Sequence, residues 1–493
     1  MATDAPHQPV PYYDEDPRAA EQIGERLVRE QTRADRRVLI RGGAVITMDA
    51  AIGDFAAGDV LIEGRRIVAV GPRLADDERA RDAVEVSAAG MVVIPGMCDS
   101  HRHCWQTQFR RAIPDVADLA AYVAATHRTL AFAYQPQDVY VGNLLAALGG
   151  LDGGVTSIVD ISHNSRSAAH RDEAVRGHLD SGARSVYGAH GALFGDWDEL
   201  WPQDLVRLRE EYFGDDDALV TLRLACHGSD AAAARDRDDG LPSVTLDPAK
   251  IAFARDLGIG ISVDGVLGTE ASANVESLGT AGLLGPDITL IHMTAMSDRA
   301  WELIADSRTA ISLTPTSDAQ IGILDALPPI QKALDMGIRP SLSVDTEATL
   351  SSDMFTQMRF ILNVQRMGVF KRRHEGEQGL HAITTRDVLE FATLQGARAN
   401  GLADKVGSLT PGKQADIVLI RAEDINNMPL NTALGTVVSG ADTSNVDTVF
   451  VAGDARKWRG RLVGQDLNRI RSLAHESFDR ILRESGFDLD PLV

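Results

Sequence analysis

The chain has 493 residues and a formal net charge of −22, with 49 Lys and Arg against 71 Asp and Glu. Hydrophobic residues make up 44% of the chain and charged residues 24%, which is typical of a folded protein and excludes a disordered one. The acidic balance argues against binding to nucleic acid or to anionic membrane surfaces, and three cysteines cannot supply a disulfide framework for a chain of this length.

Residues 1–37 are predicted to form an N-terminal extension. Ile23, Leu27 and Val28 stand among charged residues at helical spacing, which indicates a surface helix or an arm used in oligomerisation. The extension has no apolar block that would serve as a secretory signal. No run of about 18 apolar residues occurs that would span a membrane. We therefore expect a cytoplasmic protein without a membrane partner.

Two β-rich segments flank the middle of the chain. Residues 38–90 contain short β-branched runs separated by glycines, and residues 401–470 contain two more, Ala415–Ile420 and Val446–Val451. These segments predict a small β-sandwich domain built from both ends of the chain. A C-terminal helix and tail is expected over residues 471–493.

Residues 91–400 alternate short apolar runs with helical stretches, which is the order expected of repeated βα units. An open doubly wound sheet is the alternative, but no Gly-x-Gly-x-x-Gly motif opens the first helix. We therefore predict a (β/α)8 TIM barrel, whose reactive residues would lie at the carboxyl ends of the strands. The eight predicted strands are Met91–Ile94, Thr156–Asp160, Ala183–Tyr187, Leu219–Cys226, Gly260–Val263, Ile288–His292, Ala310–Leu313 and Ser341–Val344.

Polar side chains at the ends of these runs are the candidates for chemistry. His101 and His103 are two residues apart, so on an extended chain both imidazoles point the same way. The sixth run ends in His292 and the eighth leads into Asp345. Each residue alone has an ordinary explanation, as a hydrogen-bonded core histidine or an aspartate that caps the next helix. Together they indicate a metal site.

Four motifs are specific enough to suggest a family: VIPGMCDSHRH at 93–103, LTPTS at 313–317, ATLQGA at 392–397 and VGSLTPGKQADIV at 406–418. They resemble the amidohydrolase superfamily, in its cytosine-deaminase-like and chlorohydrolase-like branch. The resemblance implies a barrel joined to a small β-sandwich, and one divalent ion, with zinc favoured over iron or manganese. It also implies a small-molecule substrate and a homo-oligomer.

The resemblance further implies roles for individual residues. His101, His103 and Asp345 would bind the ion, Asp345 would also act as general base, and His292 would contact substrate and the attacking water. Polar and aromatic residues near the mouth would bind substrate, although Trp105 can equally be a packed aromatic. These expected substrate contacts are Trp105, Gln106, Arg110, His163, His227 and Ser317.

The fifth strand departs from the family pattern. Asp264 stands where relatives carry a histidine ligand, and the glutamate expected two or three residues later is missing, since the next carboxylate is Glu270. Asp264 itself can bind the metal through oxygen. Alternatively His163 or His227 completes the ligand set, or the ion is lost.

The sequence thus favours a hydrolase that acts on a C–N bond of a small molecule, by deamination or by amide or amidine hydrolysis, with heterocycles among the candidate substrates. A second hypothesis is a non-hydrolytic metal-dependent lyase, cyclase or decarboxylase, because the proton-carrying glutamate is missing. A third is a binding protein that kept the barrel and lost the metal.

Overall fold

The computed structural model describes residues 17–198, 200–215, 217–230, 243–324 and 327–490. The first sixteen residues of the predicted N-terminal extension, and residues 491–493 of the predicted tail, lie outside the described residues. The chain forms two compact units, one of Met1–Gly96, Asp152–Gly154 and Asp404–Val463, the other of Met97–Leu151, Val155–Ala403 and Gly464–Val493. Within the described residues, no helix has both the length and the apolar character needed to cross a lipid bilayer.

The first unit is built on a nine-stranded mixed sheet from both ends of the chain. Numbered along the chain, its strands are β1 (Arg37–Val45), β2 (Phe55–Glu63), β3 (Arg66–Gly71), β4 (Val84–Ser87), β5 (Met91–Pro95), β14 (Ile417–Arg421), β15 (Val446–Val451), β16 (Asp454–Trp458) and β17 (Arg461–Leu462). Their order is β17-β16-β15-β14-β5-β1-β2-β3, with β4 beside β1.

The N-terminal and C-terminal parts of this sheet meet where β5 pairs antiparallel with β14. Buried Val, Ile and Leu side chains from both parts form one core, because the β-branched runs alternate their side chains between the two faces of the sheet. The predicted surface helix is α1 (Pro17–Glu30), and its Leu27 is buried in that core while Val28 is exposed.

The second unit contains a parallel eight-stranded barrel, as predicted. Its strands are β6 (Met97–Arg102), β7 (Val155–Ser162), β8 (Arg184–Ala189), β9 (Val220–His227), β10 (Gly260–Val266), β11 (Ile288–His292), β12 (Ala310–Leu313) and β13 (Ser341–Leu342). The strands neighbour one another in chain order. The His103 N–H donates to the Asp345 carbonyl at 2.8 Å and the Asp345 N–H donates to the His101 carbonyl at 2.9 Å, which closes the ring at its mouth.

The helices of the two units are numbered along the chain in the same way. After α1 they are α2 (Leu119–Thr126), α3 (Pro136–Asp152), α4 (Ala168–Ser181), α5 (Leu205–Tyr212), α6 (Pro248–Asp256), α7 (Gly268–Thr280), α8 (Asp298–Ser307), α9 (Pro315–Ile321), α10 (Ile330–Asp335), α11 (Met354–His374), α12 (Thr385–Glu390), α13 (Gly396–Ala399), α14 (Ala433–Gly435) and α15 (Leu467–Ser485).

One predicted strand belongs to the other sheet. Met91–Ile94 was expected to open the barrel, but it lies in β5, where Val92, Val93 and Ile94 pair with residues 418–420. The first barrel strand is instead β6, which contains the first histidine of the pair. An apolar run predicts a buried strand but does not reveal its partner, and here the partner is more than 300 residues away in the chain.

Candidate active site

Five polar side chains from four parts of the barrel converge at its mouth: His101, His103, Asp264, His292 and Asp345, all buried. The Nε2 atoms of His101 and His103 lie 3.2 and 3.1 Å from Asp345 Oδ1. Asp264 Oδ1 lies 3.2 Å from His292 Nε2 and 3.6 Å from His101 Nε2. Asp264 Oδ2 lies 3.5 Å from His103 Nε2. Asp264 therefore joins the same cluster as the predicted ligands.

Two of these residues have an unusual backbone conformation. His292 has φ 74° and Asp345 has φ 70°, in the left-handed region that residues other than glycine rarely adopt. Such conformations persist only where the surroundings hold them, and they are concentrated at functional sites. Here His292 ends the sixth barrel strand, β11, and Asp345 follows the eighth, β13.

Hydrogen bonds at the far side of two imidazoles determine which nitrogen carries the proton. His103 Nδ1 lies 3.3 Å from the Ile161 carbonyl, which can only accept. His292 Nδ1 lies 2.9 Å from Asp318 Oδ1, which also accepts a hydrogen bond from Thr314. Both Nδ1 atoms are thus donors, so Nε2 of each ring is the nitrogen that faces the carboxylates; it holds a proton against them when no ion is bound and can bind an ion once that proton leaves.

This arrangement fits a divalent cation. Three imidazole Nε2 atoms lie within 3.6 Å of carboxylate oxygens, so positive charge must stand between them, supplied by ring protons in the metal-free protein and by an ion when one is bound. Imidazole nitrogen and carboxylate oxygen are the usual ligands of zinc and of other first-row divalent metals. The side chains present are therefore suitable to bind one such ion.

The electrostatics of the two aspartates agree with this. Burial opposes ionisation of Asp345, but the hydrogen bonds and charges of His101 and His103 outweigh it and hold the pKa of Asp345 below its usual range. Burial also opposes ionisation of Asp264, and the charge of His101 together with the hydrogen bond from His292 lowers its pKa well below the usual value. Both side chains are therefore carboxylates that attract a cation.

A cavity opens over the cluster, with one imidazole wall and one apolar wall. Within the described part of the chain, the only carboxylates that line it are Asp264 and Asp345, so Glu270, at the start of α7, does not replace the missing glutamate. The other lining residues are His103, Leu119, Tyr122, Val123, His127, His163, Leu193, Phe194, His227, Gly265, Leu267, His292, Ile321 and Ile323.

Hydrogen bonds determine which nitrogen of each imidazole in this wall carries the proton. The indole Nε1–H of Trp105 donates to His163 Nδ1 at 3.1 Å, so the proton of a neutral His163 is on Nε2. His163 Nε2 lies 3.2 Å from His103 Nε2 and 3.3 Å from His127 Nε2. His127 Nδ1 donates to Thr126 Oγ1 at 2.7 Å, because the Thr126 hydrogen is itself given to the carbonyl four residues earlier. Burial lowers the pKa of His127 to about 3 and that of His163 well below its usual value, so both are neutral.

His227 presents the opposite end of its ring to the cavity. His190 Nδ1 donates to the Gly191 carbonyl at 2.5 Å, which leaves His190 Nε2 as an acceptor for His227 Nδ1–H at 3.0 Å. The free lone pair of His227 is therefore on Nε2, 3.9 Å from Asp264 Oδ2. This imidazole can accept a hydrogen bond from a molecule in the cavity.

Trp105 and Gln106 were expected as substrate contacts, but they lie behind the cavity wall. Trp105 is buried and supports His163 from behind. Gln106 exchanges hydrogen bonds with the Tyr122 hydroxyl at 2.8 and 3.0 Å and accepts one from Thr346. Both side chains therefore hold residues near or in the wall in place and do not contact the cavity themselves.

Arg110 and Ser317 lie outside the cavity lining as well. Arg110 pairs with the buried carboxylate of Glu347, and Ser317 donates a hydrogen bond to Asp345 Oδ2. Of the six expected substrate contacts, His163 and His227 thus line the cavity. Sequence reasoning missed His127, which follows α2 and no strand, and His190, although His190 directly follows the third barrel strand, β8.

Comparisons with known proteins agree with this geometry. A family model described as the amidohydrolase family matches residues 259–456. A 5'-deoxyadenosine deaminase of Methanosarcina mazei is 26% identical over 90% of this chain and 98% of its own length. A 5-methylthioadenosine/S-adenosylhomocysteine deaminase of Pelotomaculum thermopropionicum is 24% identical over 90% of this chain and 99% of its own length.

Two solved structures share the fold. An adenosine deaminase from Xanthomonas campestris with bound zinc superposes with a TM-score of 0.75, at 21% identity, over 91% of this chain and 99% of that chain. A mutant atrazine chlorohydrolase from Arthrobacter aurescens, complexed with zinc and atraton, superposes with a TM-score of 0.76, at 20% identity, over 90% of this chain and 100% of that chain. The chain is thus similar to the amidohydrolase family over residues 259–456 and to the two deaminases over 90% of its length, and it shares the fold of the two solved structures.

Proposed function

We propose that this protein is a metal-dependent amidohydrolase that removes an amino group from a small heterocyclic molecule by hydrolysis of a C–N bond. The observation that carries the proposal is the convergence of His101, His103, Asp264, His292 and Asp345 at the barrel mouth. The full-length relatives named as deaminases of adenine nucleosides support the reaction and suggest purine nucleosides as the first substrates to test.

We propose His101, His103, Asp264 and Asp345 as the ligands of one divalent ion, with His292 beside them. Zinc is the first candidate, because both solved structures above contain it. When bound, such an ion would polarise a water molecule and lower its pKa toward neutrality. Asp264 in place of a histidine keeps the site compatible with zinc and suits iron or manganese as well.

The side chains of this protein would then move the proton. Asp345 lies at the centre of the cluster, with Oδ2 held by Ser317 and Oδ1 facing the imidazoles, so it is placed to take a proton from the attacking water. The same carboxyl can pass this proton to the leaving nitrogen, which departs as ammonia when the C–N bond breaks. His227 Nε2 would accept a hydrogen bond from the substrate amino group, and His292 would contact the ring that is attacked.

The apolar wall would hold the flat substrate. Leu119, Tyr122 and Val123 lie on α2, Ile321 ends α9 and Ile323 follows it, and these side chains pack in one apolar cluster that lines the cavity. A planar heterocycle placed between these walls would lose its water shell and keep its edge toward the cluster.

The test is hydrolysis by purified protein loaded with zinc. Adenosine, 5'-deoxyadenosine, 5-methylthioadenosine and S-adenosylhomocysteine would be supplied, and ammonia release and product mass would be measured in heavy-oxygen water. We expect ammonia and one heavy oxygen in the product. Asp345→Asn should lower kcat by at least about 100-fold, because the proton acceptor is lost.

Other results would support the two alternatives. A product without heavy oxygen would indicate a lyase, cyclase or decarboxylase, which the missing fifth-strand glutamate keeps open. A folded protein that binds no divalent ion and turns over none of these compounds would indicate a binding protein. The cytoplasmic location and the homo-oligomeric assembly stay predictions.

A further inference from the structure

Arg102 stands between the two histidines of the first strand, and its side chain is fully buried. Its guanidinium forms three hydrogen bonds: Nε donates to Asp99 Oδ2 at 2.7 Å, Nη1 to Glu347 Oε1 at 2.8 Å and Nη2 to the Ser352 carbonyl at 3.1 Å. A buried arginine with this many partners acts as a rigid fork that fixes the distance between the groups it joins.

The two carboxylates joined by Arg102 hold the chain before and after Asp345. Glu347 is two residues after Asp345 in the chain, and it also pairs with Arg110. On the other side, Asp99 Oδ1 accepts a hydrogen bond from the N–H of Val344, the residue before Asp345, at 3.0 Å. Side chains therefore tie the segment that carries Asp345 to the first strand at two points, one on each side of the backbone hydrogen bonds of Asp345.

These ties act where regular structure is weak. β13 consists of only two residues, Ser341–Leu342, and beyond it the backbone is held to the first strand by an isolated bridge at Asp345. Asp345 itself has φ 70°, a conformation that an aspartate does not hold without support. The charges are balanced, since Arg102 and Arg110 face Asp99 and Glu347, and loss of any one of the four leaves the group with an uncompensated charge.

We propose that Arg102 is a positioning residue, which acts through Asp99 and Glu347 to hold Asp345 in register with His101 and His103. The cluster formed by Asp99, Arg102 and Glu347 is here named the strand clamp. This inference rests on the proposed function, because it assigns the strand clamp to the proposed metal site.

Two variants test the strand clamp against a matched control. Glu347→Gln keeps the size of the side chain and removes its charge, and Arg102→Lys keeps the charge and removes the fork. The control is Arg223→Lys, because Arg223 is also a buried barrel arginine but donates to the Ala399 and Ile261 carbonyls at the opposite end of the strands.

The first measurement is amide hydrogen exchange in the metal-free protein. Both strand-clamp variants should speed exchange in the peptide that covers residues 343–348 by about tenfold or more, while Arg223→Lys leaves that peptide unchanged. The second measurement is zinc affinity by competition with a chromophoric chelator. Both variants should weaken it by about 10- to 100-fold, the effect typical of residues that orient metal ligands.

The outcomes separate the two proposals. If Glu347→Gln folds and leaves exchange at residues 343–348 unchanged, the strand clamp is wrong, whatever the protein binds. If the control weakens zinc binding as much as the strand-clamp variants, their effect is general loss of stability and the inference is wrong too. If the wild-type protein binds no divalent ion, the proposed function fails, and the exchange measurement alone decides whether the strand clamp holds Asp345.

Discussion

At the scale of single residues, Asp264 is the feature that separates this chain from the family pattern. Its two oxygens contact different imidazoles: Oδ1 lies nearest His292 and His101, and Oδ2 nearest His103. A carboxylate at this position therefore reaches the whole cluster, and it brings a negative charge where a histidine would be neutral. It can serve as a metal ligand without any rearrangement of the barrel mouth.

Replacement of Asp264 tests this role directly. Asp264→Ala should lower zinc affinity by about 100-fold or more, because a direct ligand is lost, whereas Asp264→His should stay within about tenfold of wild type. Chelator competition measures both affinities. Asp298→Asn, an exposed aspartate on α8, serves as the control. Unchanged zinc binding by Asp264→Ala would remove Asp264 from the ligand set.

Asp318 orients His292 without reaching the cluster itself. Asp318→Ala removes the acceptor at 2.9 Å from His292 Nδ1, so the ring can rotate or change tautomer. We expect zinc affinity or kcat to fall by about 10- to 100-fold. Asp318→Asn keeps an acceptor oxygen and should lose less. Equal losses for the two variants would show that the charge of Asp318 matters and not its hydrogen bond.

At the scale of secondary structure, α2 decides the shape of the apolar wall. It has only eight residues, so its stability depends on its packing and on its cap. The Asp118 side chain provides that cap and accepts a hydrogen bond from the Ala121 N–H at 2.8 Å. The helix presents Leu119, Tyr122 and Val123 to the cavity and supplies none of the proposed ligands.

Removal of the cap should therefore affect substrate binding more than chemistry. Asp118→Ala should cost the helix about 1 kcal/mol and raise KM, with kcat and zinc affinity little changed. Asp118→Ser keeps a capping oxygen and should behave like wild type. Steady-state kinetics on the best substrate measure both parameters. A fall in kcat at constant KM would contradict this role for α2.

At the scale of the whole molecule, the barrel mouth buries neutral imidazoles in an otherwise acidic protein. The folded-state pKa of His127 is about 3, against 6.5 for a free side chain. Between these values the unfolded chain binds a proton that the folded chain does not, so stability rises with pH across this window. The free energy of unfolding therefore decreases as pH falls below about 6.5, by at most about 1.4 kcal/mol per pH unit for each such histidine.

The variant His127→Gln isolates this contribution. Urea unfolding of the metal-free protein at several pH values between about 4.5 and 6.5 should give a shallower slope of unfolding free energy against pH for the variant than for wild type. His374→Gln, at an exposed position, should keep the wild-type slope. Equal slopes for His127→Gln and wild type would show that His127 is protonated in the folded state.

From the sequence alone follow the barrel, the small β domain and the residues that we propose as the site. The strand runs, the paired histidines and the polar residues that follow strands are local patterns, and a parallel barrel brings all carboxyl ends of its strands to one rim. Only the tertiary structure decided that Met91–Pro95 pairs with β14, that Trp105 and Gln106 stand behind the cavity wall, and that His127 and His190 orient the imidazoles. It also decided the strand clamp, in which Glu347 lies more than 240 residues along the chain from Asp99 and Arg102. Hydrogen-bond partners so distant in sequence are selected by packing and by the need to pair buried charges, and no local pattern records that selection.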